Sequence, residues 1–239
     1  MRLSIIIPAH NEEATIQQVL ERVFKVDLNG WDKQVIVIND GSSDATKSVL
    51  DGISSKLDGR QNVRMLDFMV VNHEKNMGKG AAIQTGLKAA NGDYVIIQDA
   101  DAEYDPLDIP GLLEPINRHA TNGLVIFGKR GYKAYPERGF HYVIGAWCLT
   151  AFYNLLYHQH LTDLYTCYKL IPTSLFKDLN IQSSGFEFEA EVSCKLAKRG
   201  VIIREVPINY KPRNKDQGKH IRFIDALKGF WMILKLRVE

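Results

Sequence analysis

Val95-Ile96-Ile97 runs straight into Gln98-Asp99-Ala100-Asp101-Ala102-Glu103, and no other stretch constrains the fold as strongly. A β-branched run of this length, bounded by Gly92-Asp93 and Asp105-Pro106, reads as a buried strand of a parallel sheet. In open α/β sheets ligands bind outside the carboxyl ends of the strands. If the chain stays extended, alternate residues point the same way, and Asp99, Asp101 and Glu103 converge on one side. Carboxylates in that arrangement suit a hard divalent cation, Mg2+ or Mn2+, bridged to substrate phosphates. The competing account is a solvated acidic loop.

Three further apolar runs precede this one, and each ends in a polar turn. Leu3–Ile7 ends at Pro8-Ala9-His10-Asn11-Glu12-Glu13, and Val35–Ile38 at Asn39-Asp40-Gly41-Ser42-Ser43-Asp44. Phe68–Val71 leads to Asn76-Met77-Gly78-Lys79-Gly80. Helical spacing follows the first turn, with Ile16, Val19, Leu20 and Val23. Asn11 is expected to cap that helix, with Glu12 and Glu13 in its first turn. Further helices run through Val49 and Leu50, and through Ile83, Leu87 and Ala90. Four strand–turn–helix units predict a parallel sheet with right-handed crossovers. The turns then share one end of the sheet, which places Glu12, Asp40, Lys79 and Asp99 around a common crevice. Neither G-x-x-x-x-G-K-[ST] nor G-x-G-x-x-G occurs at these turns, which argues against a P-loop NTPase or a dinucleotide-binding dehydrogenase. A nucleotide pocket without a phosphate loop needs a metal to neutralise a diphosphate, and the Asp99–Glu103 cluster could supply its site.

Composition excludes little and adds two expectations. With 30 basic against 28 acidic residues the net charge is +2, so nucleic-acid binding gains no support. Cys148, Cys167 and Cys194 are scattered, and fit buried reduced thiols better than a disulfide framework or zinc site. The chain opens on a strand pattern, with no signal-peptide pattern. From Tyr142 to Thr162 no side chain carries a full charge, but Thr150, Asn154, His158, Gln159 and His160 interrupt the run. It reads as an amphipathic helix, not a membrane span. The segment Phe223–Leu236 mixes bulky apolar residues with Lys228 and Lys235, a pattern that suits an interfacial helix or a helix packed on its own domain.

Taken together, Pro8-Ala9-His10-Asn11-Glu12 with Ile16, Asn39 through Thr46, Asn76-Met77-Gly78-Lys79-Gly80 and Asp99-Ala100-Asp101 resemble the family 2 glycosyltransferases. The resemblance implies the GT-A fold, a mostly parallel sheet with helices on both faces, and inverting transfer from a nucleotide-sugar with a divalent metal. The second half looks like the polyprenyl-phosphate branch, which includes dolichol-phosphate mannose synthases and glucosyltransferases. It does so through Gly128-Lys129-Arg130, Thr162 to Lys169, Gly185-Phe186-Glu187-Phe188-Glu189, Val206 to Arg213, and Gly218-Lys219. His10, Asn39 and Cys167 depart from the common pattern, which has Tyr, Asp and Gly there. One domain over 1–239 is expected, with a nucleotide-sugar half at 1–127, an acceptor half at 128–220 and an amphipathic helix at 221–239.

Roles follow from the resemblance. Pro8 and His10 would pack on the base, Glu12 and Asp40 would hold base or ribose, and Lys79 would lie near the ribose or diphosphate. Asp101 and Glu103 match metal positions, with Asp99 on the metal or the ribose. A polyprenyl phosphate is already ionised and needs cations, for which Arg130, Arg138, Arg213 and Lys219 are the candidates. A hydroxyl acceptor would need a general base, and Asp163 and Glu187 are the carboxylates in the right region, although Thr162-Asp163 also reads as a helix cap. The expected enzyme moves a hexose from a UDP- or GDP-sugar to polyprenyl phosphate, peripheral at the cytoplasmic face of a membrane. A hydroxyl-directed family 2 enzyme and a non-catalytic nucleotide-sugar-binding protein are the alternatives, and homo-oligomerisation is left open.

Overall fold

Each of the four apolar runs forms a strand, and their flanking patterns form the helices. The computed structural model describes residues 1–58, 66–119, 123–131, 140–213 and 223–239. In chain order these are β1 Arg2–Ala9, α1 Ile16–Lys25, β2 Asp32–Asn39, α2 Thr46–Asp58, β3 Leu66–Asn72, α3 Lys79–Ala89 and β4 Tyr94–Ile97. A 3-10 turn, Pro106–Asp108, leads into α4 Ile109–His119. Then come β5 Val125–Arg130, α5 Phe140–Tyr157, β6 Lys169–Pro172, α6 Thr173–Asp178, α7 Phe188–Lys198, β7 Ile203–Ile208 and α8 Phe223–Val238.

One seven-stranded sheet takes the order β3-β2-β1-β4-β6-β5-β7. β1 pairs in parallel with both β2 and β4, and β2 with β3. β6 runs antiparallel between β4 and β5, and β7 returns parallel to β5. Ile5–Ile7, Val35–Ile38 and Val95–Ile97 are fully buried, as strands covered on both faces require. Ala9 stands opposite Asn39 and Asn39 opposite Asn72, while Ile6 faces Ile97. The turns after these strands therefore leave the sheet along one edge.

Two local expectations change. Helix α1 begins at Ile16, not after Asn11. Asn11 has φ +54°, and its side-chain oxygen accepts from Ser43 N at 2.8 Å. Glu12 N donates to Thr46 Oγ1 at 2.8 Å, and Glu13 accepts from Ala45 N at 2.7 Å. The caps that local sequence assigned to one helix instead tie the β1 turn to the β2 turn. Secondly, β4 stops at Ile97 and Ala102 has φ +59°, so the strand alternation expected to align Asp99, Asp101 and Glu103 ends before reaching them.

Helices α5 and α8 pack together through stacked Phe152 and Phe230 rings, 4.2 Å apart, and Tyr157 Oη donates to Ile233 O at 3.0 Å. Beside that seam two apolar stripes stay open to solvent. Ile144, Trp147 (57% exposed) and Leu155 (72%) lie on α5, and Leu227, Trp231 (63%) and Leu234 on α8. Among the described residues no helix is long and apolar enough to cross a membrane.

The cysteines divide. Cys167 and Cys194 are buried as expected, but Cys148 is exposed on α5. Burial pushes the Cys167 thiol well above its ordinary value, with Asp99 adding to the effect, and pushes Cys194 up to about 12. Since the thiolate is the reactive form, native protein at pH 8 should react rapidly with one equivalent of a thiol reagent, at Cys148. All three thiols should react in denaturant. Fast native modification of Cys167 or Cys194, located by peptide mapping, would contradict this packing.

Candidate active site

The crevice is built by turns that hold one another through charged side chains. Asp40, just after β2, is buried. Its Oδ1 accepts from Met77 N at 2.9 Å and its Oδ2 from Gly78 N at 2.8 Å, while His73 Nδ1 lies 2.6 Å from Oδ1. His73 Nε2 is in turn 2.9 Å from Thr85 Oγ1 on α3. His10, exposed at the rim, donates from Nδ1 to Asp40 O at 2.9 Å, and Pro8 beside it is half-buried. The carboxylate expected to hold a base or ribose thus first fastens the β3–α3 turn to the β2 turn. Gly41 permits that approach: a Cβ on it would lie 2.2 Å from the Lys75 backbone carbon.

Lys79 opens helix α3, and its Nζ lies 2.7 Å from Asp99 Oδ1 and 3.4 Å from Glu189 Oε1. Burial alone would lower this lysine, but Asp99, Glu189 and the Cys167 thiol beside it outweigh burial and hold it well above the ordinary value. Lys79 and Asp99 therefore stand together as an ion pair at the strand ends. The helix's first N–H groups are already taken, because Gly80 N and Ala81 N donate to Ser184 O at 2.7 and 3.2 Å. Phosphate binding at this helix end would need that bond to open.

The acidic cluster divides its work. Asp101 Oδ1 accepts from Glu103 N at 3.0 Å, which shapes the turn. Glu103 is buried; its Oε2 accepts from Tyr210 Oη at 2.5 Å and its Oε1 from Arg213 N at 2.8 Å. Among the described residues no three His, Cys, Asp or Glu side chains gather closely enough to hold a metal ion. The expected convergence of Asp99, Asp101 and Glu103 is thus corrected: the strand ends first, and Glu103 is committed to the 210–213 segment. Arg213, expected to meet an acceptor phosphate, donates from Nε to Asp101 O at 2.7 Å and from a terminal nitrogen to Glu12 Oε2 at 2.6 Å. Glu12 also accepts from Thr15 Oγ1 at 2.7 Å.

In the half expected to meet the acceptor, Arg130 and Asp163 form a two-pronged pair, with Nε to Oδ2 at 2.6 Å and a terminal nitrogen to Oδ1 at 2.7 Å. Their side chains are only 8% and 10% exposed, and the guanidinium lies 5.0 Å from the centre of the Tyr210 ring. Thr162-Asp163 caps no helix. Thr162 N and Asp163 N donate to the Glu205 carboxylate on β7 at 2.9 and 3.1 Å. Glu187, at the N-terminal boundary of α7, accepts from Gly185 N at 3.1 Å. Arg138 and Lys219 lie outside the described residues. The residues given no role from sequence are His73, Lys169, Glu205 and Tyr210, whereas Glu189 was read with Glu187 as a carboxylate on a helix edge that orients a neighbour. Lys169 inside the apolar run Tyr168-Lys169-Leu170-Ile171 was the readable signal, because a buried lysine demands a partner.

If Asp163 is chiefly the counter-charge of Arg130, Asp163→Ala leaves a buried cation unpaired. We expect a stability loss of about 3–5 kcal/mol, read as a Tm lower by on the order of 10 °C. An unchanged Tm would refute the structural part of this role.

The same geometry can be set beside known proteins. The sequence profile described as "Glycosyl transferase family 2" matches residues 4–179. An uncharacterised protein of Methanocaldococcus jannaschii is 30% identical over 207 residues, covering 84% of each chain. Dodecaprenyl-phosphate galacturonate synthase of Rhizobium johnstonii is 27% identical over 192 residues, 79% of this chain but 53% of that enzyme, so this chain spans about half of its length. Among solved structures, glucosyl-3-phosphoglycerate synthase of Mycobacterium tuberculosis with UDP superposes with a TM-score of 0.72, over 99% of this chain and 80% of that one. At 20% identity that likeness speaks to the fold, which is GT-A. The same enzyme is also described with Mg2+ and UDP, and with Mn2+, UDP-glucose and phosphoglyceric acid. With that profile matching most of its length, this chain belongs to glycosyltransferase family 2.

Proposed function

We propose that the chain transfers a hexose from a UDP- or GDP-sugar to a polyprenyl phosphate, with inversion, at a membrane surface. The observation that carries this reading is the double apolar stripe on α5 and α8. Solvent-facing tryptophans with Lys228, Lys235 and Arg237 around them suit the interface where such an acceptor resides. The dodecaprenyl-phosphate relative supports it. The two carboxylates nominated as a base also support it, since Asp163 is occupied by Arg130 and Glu187 by Gly185 N. An acceptor that arrives ionised attacks without either.

A divalent cation fits this site in a limited way. Mg2+ commonly takes one or two protein carboxylates and completes its shell with phosphates and water. Asp101 and Asp99, partly exposed hard oxygen donors, meet that need, whereas both Glu103 oxygens are engaged. When bound, the ion would stabilise charge on the leaving diphosphate. The chain's own residues position the substrates. Asp40 fixes the floor of the base pocket, Pro8 and His10 form its rim, and Lys79 offers a cation beside the diphosphate. Arg213 couples Glu12 to the Asp101 turn, and Arg130 faces the acceptor side with Tyr210 beneath it.

The deciding experiment is a panel of UDP- and GDP-hexoses with polyprenyl phosphate or the corresponding polyprenol, in Mg2+ or Mn2+. Transfer is expected to the phosphate only, and Asp101→Ala should lose nearly all of it together with metal-dependent nucleotide binding. Transfer confined to the hydroxyl acceptor would overturn the reading. For the surface, Trp147→Glu with Trp231→Glu should weaken partitioning onto anionic vesicles by about tenfold or more without changing nucleotide affinity. Equal partitioning would place lipid contact elsewhere.

A further inference from the structure

Behind the crevice lies a row of four charges, two of which, Lys169 and Glu189, the roles above do not account for. Lys169 is completely buried on β6, and its ammonium donates to Leu164 O at 3.2 Å, to Thr166 O and to Glu189 Oε2. Glu189, in the first turn of α7, has a side chain only 5% exposed. Its other oxygen, Oε1, is buried without a hydrogen bond among the described residues, although Lys79 Nζ is 3.4 Å away. Lys79 spends its short contact, 2.7 Å, on Asp99. The order is Lys169, Glu189, Lys79, Asp99, with alternating signs.

That arrangement leaves an acceptor open next to a cation bonded elsewhere. A buried acceptor without a donor is unfavourable, and so is a buried ammonium that loses its carboxylate. Both defects are cured by one movement, a short shift of Nζ from Asp99 towards Glu189. Such a shift has a purpose if Asp99 has to be given up to something else. On the reading above, an incoming diphosphate and its cation make that demand. Lys169 keeps Glu189 in place and balances its charge while Lys79 changes partner.

We propose that Glu189, fixed by Lys169, is a positioning residue that gives Lys79 a second seat and so frees Asp99 for the cation and diphosphate of the donor. This rests on Asp99 belonging to the donor site. A purely electrostatic effect of the Glu189 charge on cation binding would not depend on Lys79, whereas the second seat does.

The test is a double-mutant cycle read by calorimetric titration of UDP or GDP, whichever the wild type binds, with and without Mn2+. Glu189→Gln should raise the Kd with Mn2+ about tenfold and leave the metal-free Kd within about twofold. In a Lys79→Met background the same substitution should change the Mn2+ value by less than about twofold. Glu189→Asp keeps a charge for Lys169 but withdraws the oxygen from Lys79. It should reproduce the loss while melting within a few degrees of wild type, and it decides the matter if the Gln variant does not fold. An equal loss in the Lys79→Met background, or no loss in Glu189→Asp, overturns the second seat alone. A wild-type chain that binds neither nucleotide overturns the donor-site reading, and this inference with it.

Discussion

The site depends on the parallel register of β1 between β2 and β4. Ala9 opposite Asn39 and Ile6 opposite Ile97 bring three turns out of the sheet side by side. Ile5–Ile7 and Val35–Val37 are buried on both faces, so a slip of one residue would carry each side chain to the opposite face, into packing shaped for another. Register is therefore fixed by apolar burial, and the polar turns inherit their positions from it. What they add is cross-linking. Asp40 bonds to two backbone N–H groups of the next turn and meets His73, while Asn11 and Glu13 bond to the β2 turn. The rim becomes one hydrogen-bonded unit although its parts come from distant sequence.

Internal ion pairing is the second theme. Glu12 has Arg213, Asp99 has Lys79, Asp163 has Arg130, and Glu189 has Lys169. In a partly buried crevice, where the effective dielectric is far below that of water, none of these charges is stable alone. A ligand that is itself highly charged can then enter only by exchanging partners with groups already satisfied. On the proposed reading, an anionic donor and its cation together exchange with a paired lysine and aspartate without creating a net buried charge. It also agrees with a chain whose overall charge is only +2.

The sheet and its turns were legible because they obey local rules. An apolar run that stops at a polar turn reports a buried strand wherever its partners lie; α1 followed from helical spacing, α2 and α3 from apolar residues after a polar turn, and α5 and α8 from long apolar stretches. The side-chain partners were not legible for the opposite reason. Asn11 has the right chemistry to cap a helix, but Ser43, remote in sequence, supplied a competing donor. The Asp99–Glu103 spacing promised alignment only while the chain stayed extended, and the positive φ at Ala102 ended that. Thr162-Asp163 looked like a cap until Glu205 from another strand took its N–H groups. Residue type and spacing indicated what each side chain could bond to, while the tertiary contacts determined which atom it met.

By its position β6 joins the two parts of the sheet. It is the only strand described that runs against both of its neighbours, and it joins the four-stranded parallel half to β5 and β7. Lys169 lies at its start and reaches back to Glu189, which faces Lys79 and the donor-side turns. From the far edge, β7 continues to Tyr210, whose bridge to Tyr104 and bond to Glu103 return the chain to the acidic turn. Arg213 then closes the path on Glu12, at the end of the first strand. β7 also holds Thr162 and Asp163 through Glu205, just beyond α5 with its exposed apolar stripe. The α5 side is thus linked to the turns after β1 and β4 by a chain of short hydrogen bonds and ion pairs, some at the surface and some buried. Charge-assisted contacts have preferred geometries, so each link in this chain fixes the orientation of the next.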